Sequence, residues 1–269
     1  MRLTADFSLG AGALAAIVAA CLIGPALWPV DPIVGDLGAT FVPPLHGGHP
    51  LGTDQLGRDL LARILAGTRL SLAVVLSAGM ISALLGTLLG LLAGYFGGWV
   101  DALIMRLVDV QLAIPFILLI LLVVAVVGPG TGNLIVVLGV TGWAIFARVA
   151  RARVLEVREL EYIEATRALG LPVWRIMLRH MLPNILAPQL VLLTLDLPRL
   201  VILEASVGFL GLGVQPPTPT LGNMIGDGRS YMLLADWLVI WPGVVIGAVV
   251  IGFNLLGDWL VRATNVKVD

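Results

Sequence analysis

The 269 residues are 59% apolar and only 12% charged, with a formal net charge of -1 and one cysteine, Cys21. A soluble domain carries about 25% charged residues, so this chain has too little polar surface to cover a water-soluble particle. That excludes a secreted enzyme, a disordered chain and, with no basic excess, a nucleic-acid binder, while the lone cysteine excludes an internal disulfide or a multi-cysteine metal site.

An uncharged run of 24 residues, Phe7 to Val30, opens the chain. It resembles a signal peptide but is longer than an apolar signal core and lacks a small-x-small cleavage site, so we read it as a retained first span, about 9–28. The loop 31–69 follows, with His46, His49, Asp54, Arg58 and Asp59. His46 and His49 lack a third ligand at metal-site spacing, and no metal is assigned to them. From Thr53 to Leu72, Leu56, Leu60, Ile64 and Leu65 recur at helical spacing, which predicts an interfacial helix leading into the second span. We therefore divide the chain into 1–69 and a five-helix core, 70–269.

Leu70 to Val100 is uncharged over 31 residues and Val110 to Ala147 over 38. A bilayer core about 30 Å thick takes about 20 apolar residues per helix. The first run thus supplies span two, about 70–95. The second supplies spans three and four, about 104–127 and 133–150, split by the turn formers Gly128 to Asn133. A fifth span, about 186–207, carries Asp196, Pro198, Arg199 and Glu204; a Gly- and Pro-rich loop, 208–236, separates it from a sixth, about 237–259. Continuous rather than alternating apolar runs are helical in lipid. The fold expected is an all-α membrane bundle of six transmembrane helices. With both termini cytoplasmic, eleven Arg and Lys lie inside against four outside, as the positive-inside rule requires.

Between spans four and five, residues 148–182 hold seven Arg and four Glu, too charged to cross lipid and too long for a simple connector. Val154, Val157, Tyr162, Ala165 and Leu169 fall near one helical face. Gly170 and Pro172 break the run, and a second short helix, Val173 to Met181, ends near Leu182-Pro183. The pattern predicts a protruding knob of two helices; charge alone is equally consistent with a plain solvated loop.

The run Glu164-Ala165-Thr166, three residues, Gly170, nine residues, His180-Met181-Leu182-Pro183 resembles the EAA signature of ATP-binding cassette importer permeases. Thr166 stands where a second Ala is usual and His180 where Ile is. The stretches His49 to Asp59, Gly94 to Asp101, Glu204-Ala205-Ser206, Phe209 to Pro217 and Phe253 to Asp258 extend the resemblance to permeases of dipeptide, oligopeptide and nickel importers. The resemblance implies a type I importer bundle whose coupling loop, about 148–185, docks on one of two cytoplasmic ATPase subunits. In that role Glu164 reaches a basic or amide group, Ala165 allows close approach, Gly170 sets the turn, and Leu182 and Pro183 anchor the knob. It also implies a second homologous permease, an external substrate-binding protein and a bacterial or archaeal plasma (inner) membrane. The chain contains no phosphate-binding Gly-x-x-x-x-Gly-Lys-Ser/Thr loop, so it is expected to be non-catalytic and to bind no cofactor, with ATP and Mg²⁺ held by the ATPases.

Charges inside lipid cost about 2.5–3.5 kcal/mol on insertion scales, so Asp196, Arg199 and Glu204 are expected to face the bundle interior or water. Asp196 and Arg199 are i, i+3 neighbours suited to an ion pair. A substrate-path role and a structural one stay open for both; Glu204, expected near the outer end of its span, is read as functional. Asp54, Arg58 and Asp59 are assigned to a platform for the substrate-binding protein. Peptide is preferred to nickel as cargo because His and Met are scarce near the spans. Two other classes fit poorly. An intramembrane protease needs a Ser/His pair or paired aspartates within spans, and a stand-alone secondary transporter needs no charged knob and often shows internal repeats.

Overall fold

In the computed structural model, which describes residues 26–264 and parts of 12–24, one helix dominates: α1, Leu60–Phe96. Its 37 residues reach about 55 Å at 1.5 Å per residue, well beyond the hydrocarbon thickness. We call its two extremities the loop end, where it starts, and the knob end, where it stops. Asp59 caps the first turn by accepting the Ala62 N–H at 2.8 Å. The expected surface helix from Thr53 is therefore corrected: Thr53 and Asp59 pair across a loop, and the helix begins at Leu60 and passes residue 70 without a break.

At the knob end Gly97, with φ +63°, turns the chain into α2, Gly98–Ala113. The third expected span is not one straight helix. α2 and α3, Phe116–Val127, meet at 95° because Pro115 disfavours a helical preceding residue, and Ile114 is extended at φ -90°, ψ 130°. The turn Gly128-Pro129-Gly130 leads to α4, Thr131–Thr141, and α5, Trp143–Arg158, which continue each other across Gly142 as one 28-residue run. A short α6, Glu161–Ala168, and α7, Val173–Arg175, make the knob.

A π-helical turn, Ile176–Met181, joins α7 directly to α8, Leu182–Phe209. The second knob helix thus does not end at Leu182-Pro183 but runs on. Pro183 has no N–H to give to the carbonyl four residues back; the π turn, in which the Leu182 N–H reaches Met177 O, absorbs that gap. α9, Leu221–Gly228, opens on a capping box of Thr220 and Asn223. α10, Trp237–Thr264, closes the described fold. The first expected span, 9–28, lies largely outside the described residues.

The described residues form helices and turns, with isolated bridges and no sheet. Among the described residues, three helical runs are long and apolar enough to span a bilayer (α1, α4–α5 and α10), and the bent α2–α3 pair makes a fourth if it counts as one span. α8 has the length, 28 residues, but carries Asp196, Arg199 and Glu204. α1 and α5 make the closest crossing. Gly86, Gly90 and Gly94, four residues apart, lie against Trp143, Phe146, Ala147, Ala150 and Val154, so close that a Cβ on Gly90 would sit 2.4 Å from the Ala147 carbonyl oxygen. In lipid, where apolar burial drives little, small residues allow such van der Waals contact.

Candidate functional site: the knob and its anchorage

The knob is built by breaking a helix twice. α5 stops at Arg158, and Leu160 is extended, so α6 starts with a new phase. The face expected to be continuous is thereby corrected: Val154 and Val157 are buried, but Tyr162, Ala165 and Leu169 are exposed. Ile163 instead enters the core, among Leu91, Ala150, Met177, Met181 and Ile185. At the other end of α6, the Gly170 N–H donates to Arg167 O at 2.9 Å and the Leu171 N–H to Thr166 O at 3.2 Å. These two bonds are a Schellman cap, which needs the left-handed Gly170 backbone, φ +70°.

Glu161, Glu164, Ala165 and Ala168 face away from Ile163 and are exposed. Leu169, at the end of α6, is 77% exposed and Trp174, on α7, 60%. A cluster of large apolar side chains beyond the spanning segments marks an interaction surface. The EAA-like residues divide accordingly. Glu164 and Ala165 lie on the open face. Thr166 is half-buried, its hydroxyl donating to Ile163 O at 2.7 Å, so this departure from the signature is satisfied locally. His180 is half-buried in the π turn, Leu182 packs against the core under the knob, and Pro183 is exposed in the first turn of α8. Anchorage thus falls to Ile163, Met177 and Met181 as well as Leu182, and Pro183 contributes backbone geometry.

Three arginines of this segment have partners that sequence reasoning missed. Arg151 forms a two-pronged pair with Asp101, and Arg148 Nη2 meets Asp109 Oδ1 at 2.6 Å, both aspartates on α2. Arg158 Nη1 donates to Gly94 O at 3.1 Å. No periodicity signals such contacts, because the partners are 50 and 39 residues apart.

Within α8, Asp196 and Arg199 form the expected ion pair, Nε to Oδ1 2.7 Å. Asp196 is buried, and the Arg199 guanidinium lies 4.4 Å from the Phe116 ring centroid, so the link between elements runs from Arg199 to the start of α3. Glu204 lies near the loop end of α8 and is 1% exposed. Its carboxylate faces the Ser71 hydroxyl of α1, and neither group reaches a hydrogen bond of normal geometry. In this conformation Glu204 is enclosed and lines no open surface.

At the loop end the three platform residues are inside rather than on the surface. Asp54 Oδ2 pairs with Arg58 Nε at 2.7 Å and Arg63 Nε at 3.4 Å, all three buried. Asp59, also buried, accepts from Trp28 Nε1 and meets His49 Nδ1 at 2.8 Å. Arg58 and Arg63 are each held by Asp54. Asp227 faces the same cluster; partial burial raises its carboxyl pKa, with Arg63 and Arg58 acting against that rise. His46 turns instead to Pro44 O at 2.9 Å, so the two histidines do not converge, and the described residues hold no group of three or more metal-type ligands.

Residues 86–269 match the family model of the binding-protein-dependent transport system inner membrane component. The chain belongs to that family. This permease is 37% identical over 251 residues to the dipeptide transport system permease protein DppC of Haemophilus influenzae, covering 91% of this chain and 85% of that one. It is 41% identical to the di/tripeptide transport system permease protein DppC of Pseudomonas aeruginosa, covering 93% and 84%. To the glutathione transport system permease protein GsiD of Pectobacterium atrosepticum it is 43% identical, covering 81% and 73%. Among solved structures, a chain of the MetNI methionine ABC transporter in an inward-facing conformation superimposes with TM-score 0.57 at 25% identity, covering 75% of the permease and 95% of that chain.

Proposed function

We propose that this permease is one half of the translocation pathway of an ATP-driven importer of di- or oligopeptides. It crosses the bacterial or archaeal inner membrane six times with both termini cytoplasmic, beside a second homologous permease. The knob lies in the cytoplasm and docks on one of two ATPase subunits, which supply ATP and Mg²⁺; an external substrate-binding protein delivers the peptide to the loop end. The chain itself is non-catalytic and holds no cofactor.

The observation that carries this reading is the exposed side of the knob: Glu164 and Ala165 on α6, which Ile163 seats, Leu169 at its end, and Trp174 on α7. Lipid and solvent alike leave that mixed apolar and acidic surface unmatched; a groove on a partner matches it. Closure of the ATPases on ATP would move the knob, and the bundle would shift by the difference in affinity between its two states. The names of the relatives, dipeptide, di/tripeptide and glutathione permeases, support peptide over nickel. Asp196, Arg199 and Glu204 are proposed to serve the path on α8, Glu204 becoming accessible when the bundle changes state. Asp54, Arg58 and Asp59 are proposed to hold the docking platform in shape from within.

The test is Gly170→Arg, which loses the left-handed cap and places a bulky cation on the docking face. The variant should reach the membrane in normal amount while ATP-driven dipeptide uptake falls at least tenfold. Normal uptake would overturn the docking assignment. Competition of labelled dipeptide uptake by unlabelled dipeptide or by nickel separates the two cargoes.

A further inference from the structure

Seating Ile163 in the core would by itself leave α6 free to roll about its own axis. Two polar contacts straddle that residue. On one flank the Tyr162 hydroxyl accepts a hydrogen bond from Asn184 Nδ2 at 3.0 Å. On the other, the Arg167 guanidinium lies 5.4 Å from the centroid of the Tyr95 ring, within cation–π range. Steps of 100° per residue place Tyr162 and Arg167 on opposite sides of Ile163. The two contacts reach different helices: Asn184 stands in the first turn of α8, and Tyr95 is the residue before the last of α1. α1 and α8 are the helices that carry Ser71 and Glu204 toward the loop end.

We propose that Tyr162–Asn184 and Arg167–Tyr95 form a clasp that converts displacement of α6 into simultaneous displacement of α1 and α8. Tyr162, Asn184, Arg167 and Tyr95 are positioning residues: they act through the two long helices and touch neither nucleotide nor peptide. With only Ile163, a push on the knob can be lost as rotation in place; with both flanks held, rotation of α6 drags one helix and thrusts on the other. The clasp rests on the coupling role proposed above for the knob. It also gives a physical role to the tyrosine of the Gly94-Tyr95-Phe96-Gly97-Gly98 stretch, whose ring packs against the core under the knob.

The experiment uses the complete transporter (both permeases, the ATPases and the substrate-binding protein) in proteoliposomes, with radiolabelled dialanine as probe and ATP hydrolysis measured in the same vesicles. Tyr162→Phe, Asn184→Ala and Tyr95→Leu should each leave hydrolysis running while dialanine carried per ATP falls about three- to tenfold, the effect of losing about one hydrogen bond's net free energy. Tyr162→Phe combined with Asn184→Ala should be no worse than either alone, as for partners in one contact. An unchanged ratio, a parallel loss of both activities, or additive effects of Tyr162→Phe and Asn184→Ala would each overturn the clasp. A benzophenone attached through Leu169→Cys in a Cys21→Ser background reports docking separately. A cross-link to the ATPase with unchanged coupling ratios sinks the clasp and spares the docking reading. No cross-link, or no ATP-driven dialanine uptake by the unaltered complex, removes both.

Discussion

Asp54 is one acid between two arginines, Arg58 and Arg63, all shielded from solvent. A buried ion pair adds little over an apolar core, but removing one partner leaves uncompensated charge and costs about 3–5 kcal/mol. Asp54→Ala removes the one carboxylate paired with both guanidinium groups, leaving them only the more distant Asp227 as counter-charge, and removes the acceptor of the Leu56 and Arg58 N–H groups. We expect it to lower the thermal midpoint of the detergent-purified permease by several degrees and to reduce its abundance in the membrane. His49→Ala removes only a half-exposed partner of Asp59 and should cost about 1 kcal/mol. Equal loss in the two variants would show that the Asp54 cluster is not the keystone of the loop.

Among elements, the crossing of α1 and α5 tolerates little change. Gly90 has no room for a Cβ beside the Ala147 carbonyl and the Ala150 methyl, and backbone atoms cannot move aside as a flexible side chain can. Gly90→Val should therefore separate the helices, with a penalty of about 1–3 kcal/mol typical of overpacking. Gly247→Val on α10, where an added Cβ meets nothing within 4 Å, serves as the matched control. Thermal unfolding in detergent should show a clear loss for the first and little for the second. Gly86, Gly90 and Gly94 recur at a local four-residue spacing, but the helix they meet is set by packing with a segment more than fifty residues away in the chain.

For the whole molecule, the knob and the exposed turn Met232-Leu233-Leu234 lie at opposite ends: one packs beside the end of α1, the other precedes α10 beside the start of α1. The proposed orientation expects Leu169→Cys, in a Cys21→Ser background, to react with a membrane-impermeant maleimide only from the cytoplasmic side, and Leu233→Cys only from outside. Labelling of both from one side would overturn the orientation and the direction of transport with it.

Fold class, the apolar runs, the charged knob with its Gly170 turn and the Asp196–Arg199 pair were legible because each is local. Composition, run length, left-handed turns and i, i+3 spacing all act within a few residues. Only the tertiary structure decided that Ile163 rather than Tyr162 seats α6, that Pro115 bends the third expected span by 95°, and that Asp54, Arg58 and Asp59 are buried. It alone joined Arg151 to Asp101 and Tyr162 to Asn184. The reason is physical: a helix break resets the phase of every face that follows, and the partner of a buried charge is set by packing between segments distant in the chain, where no sequence period can register it.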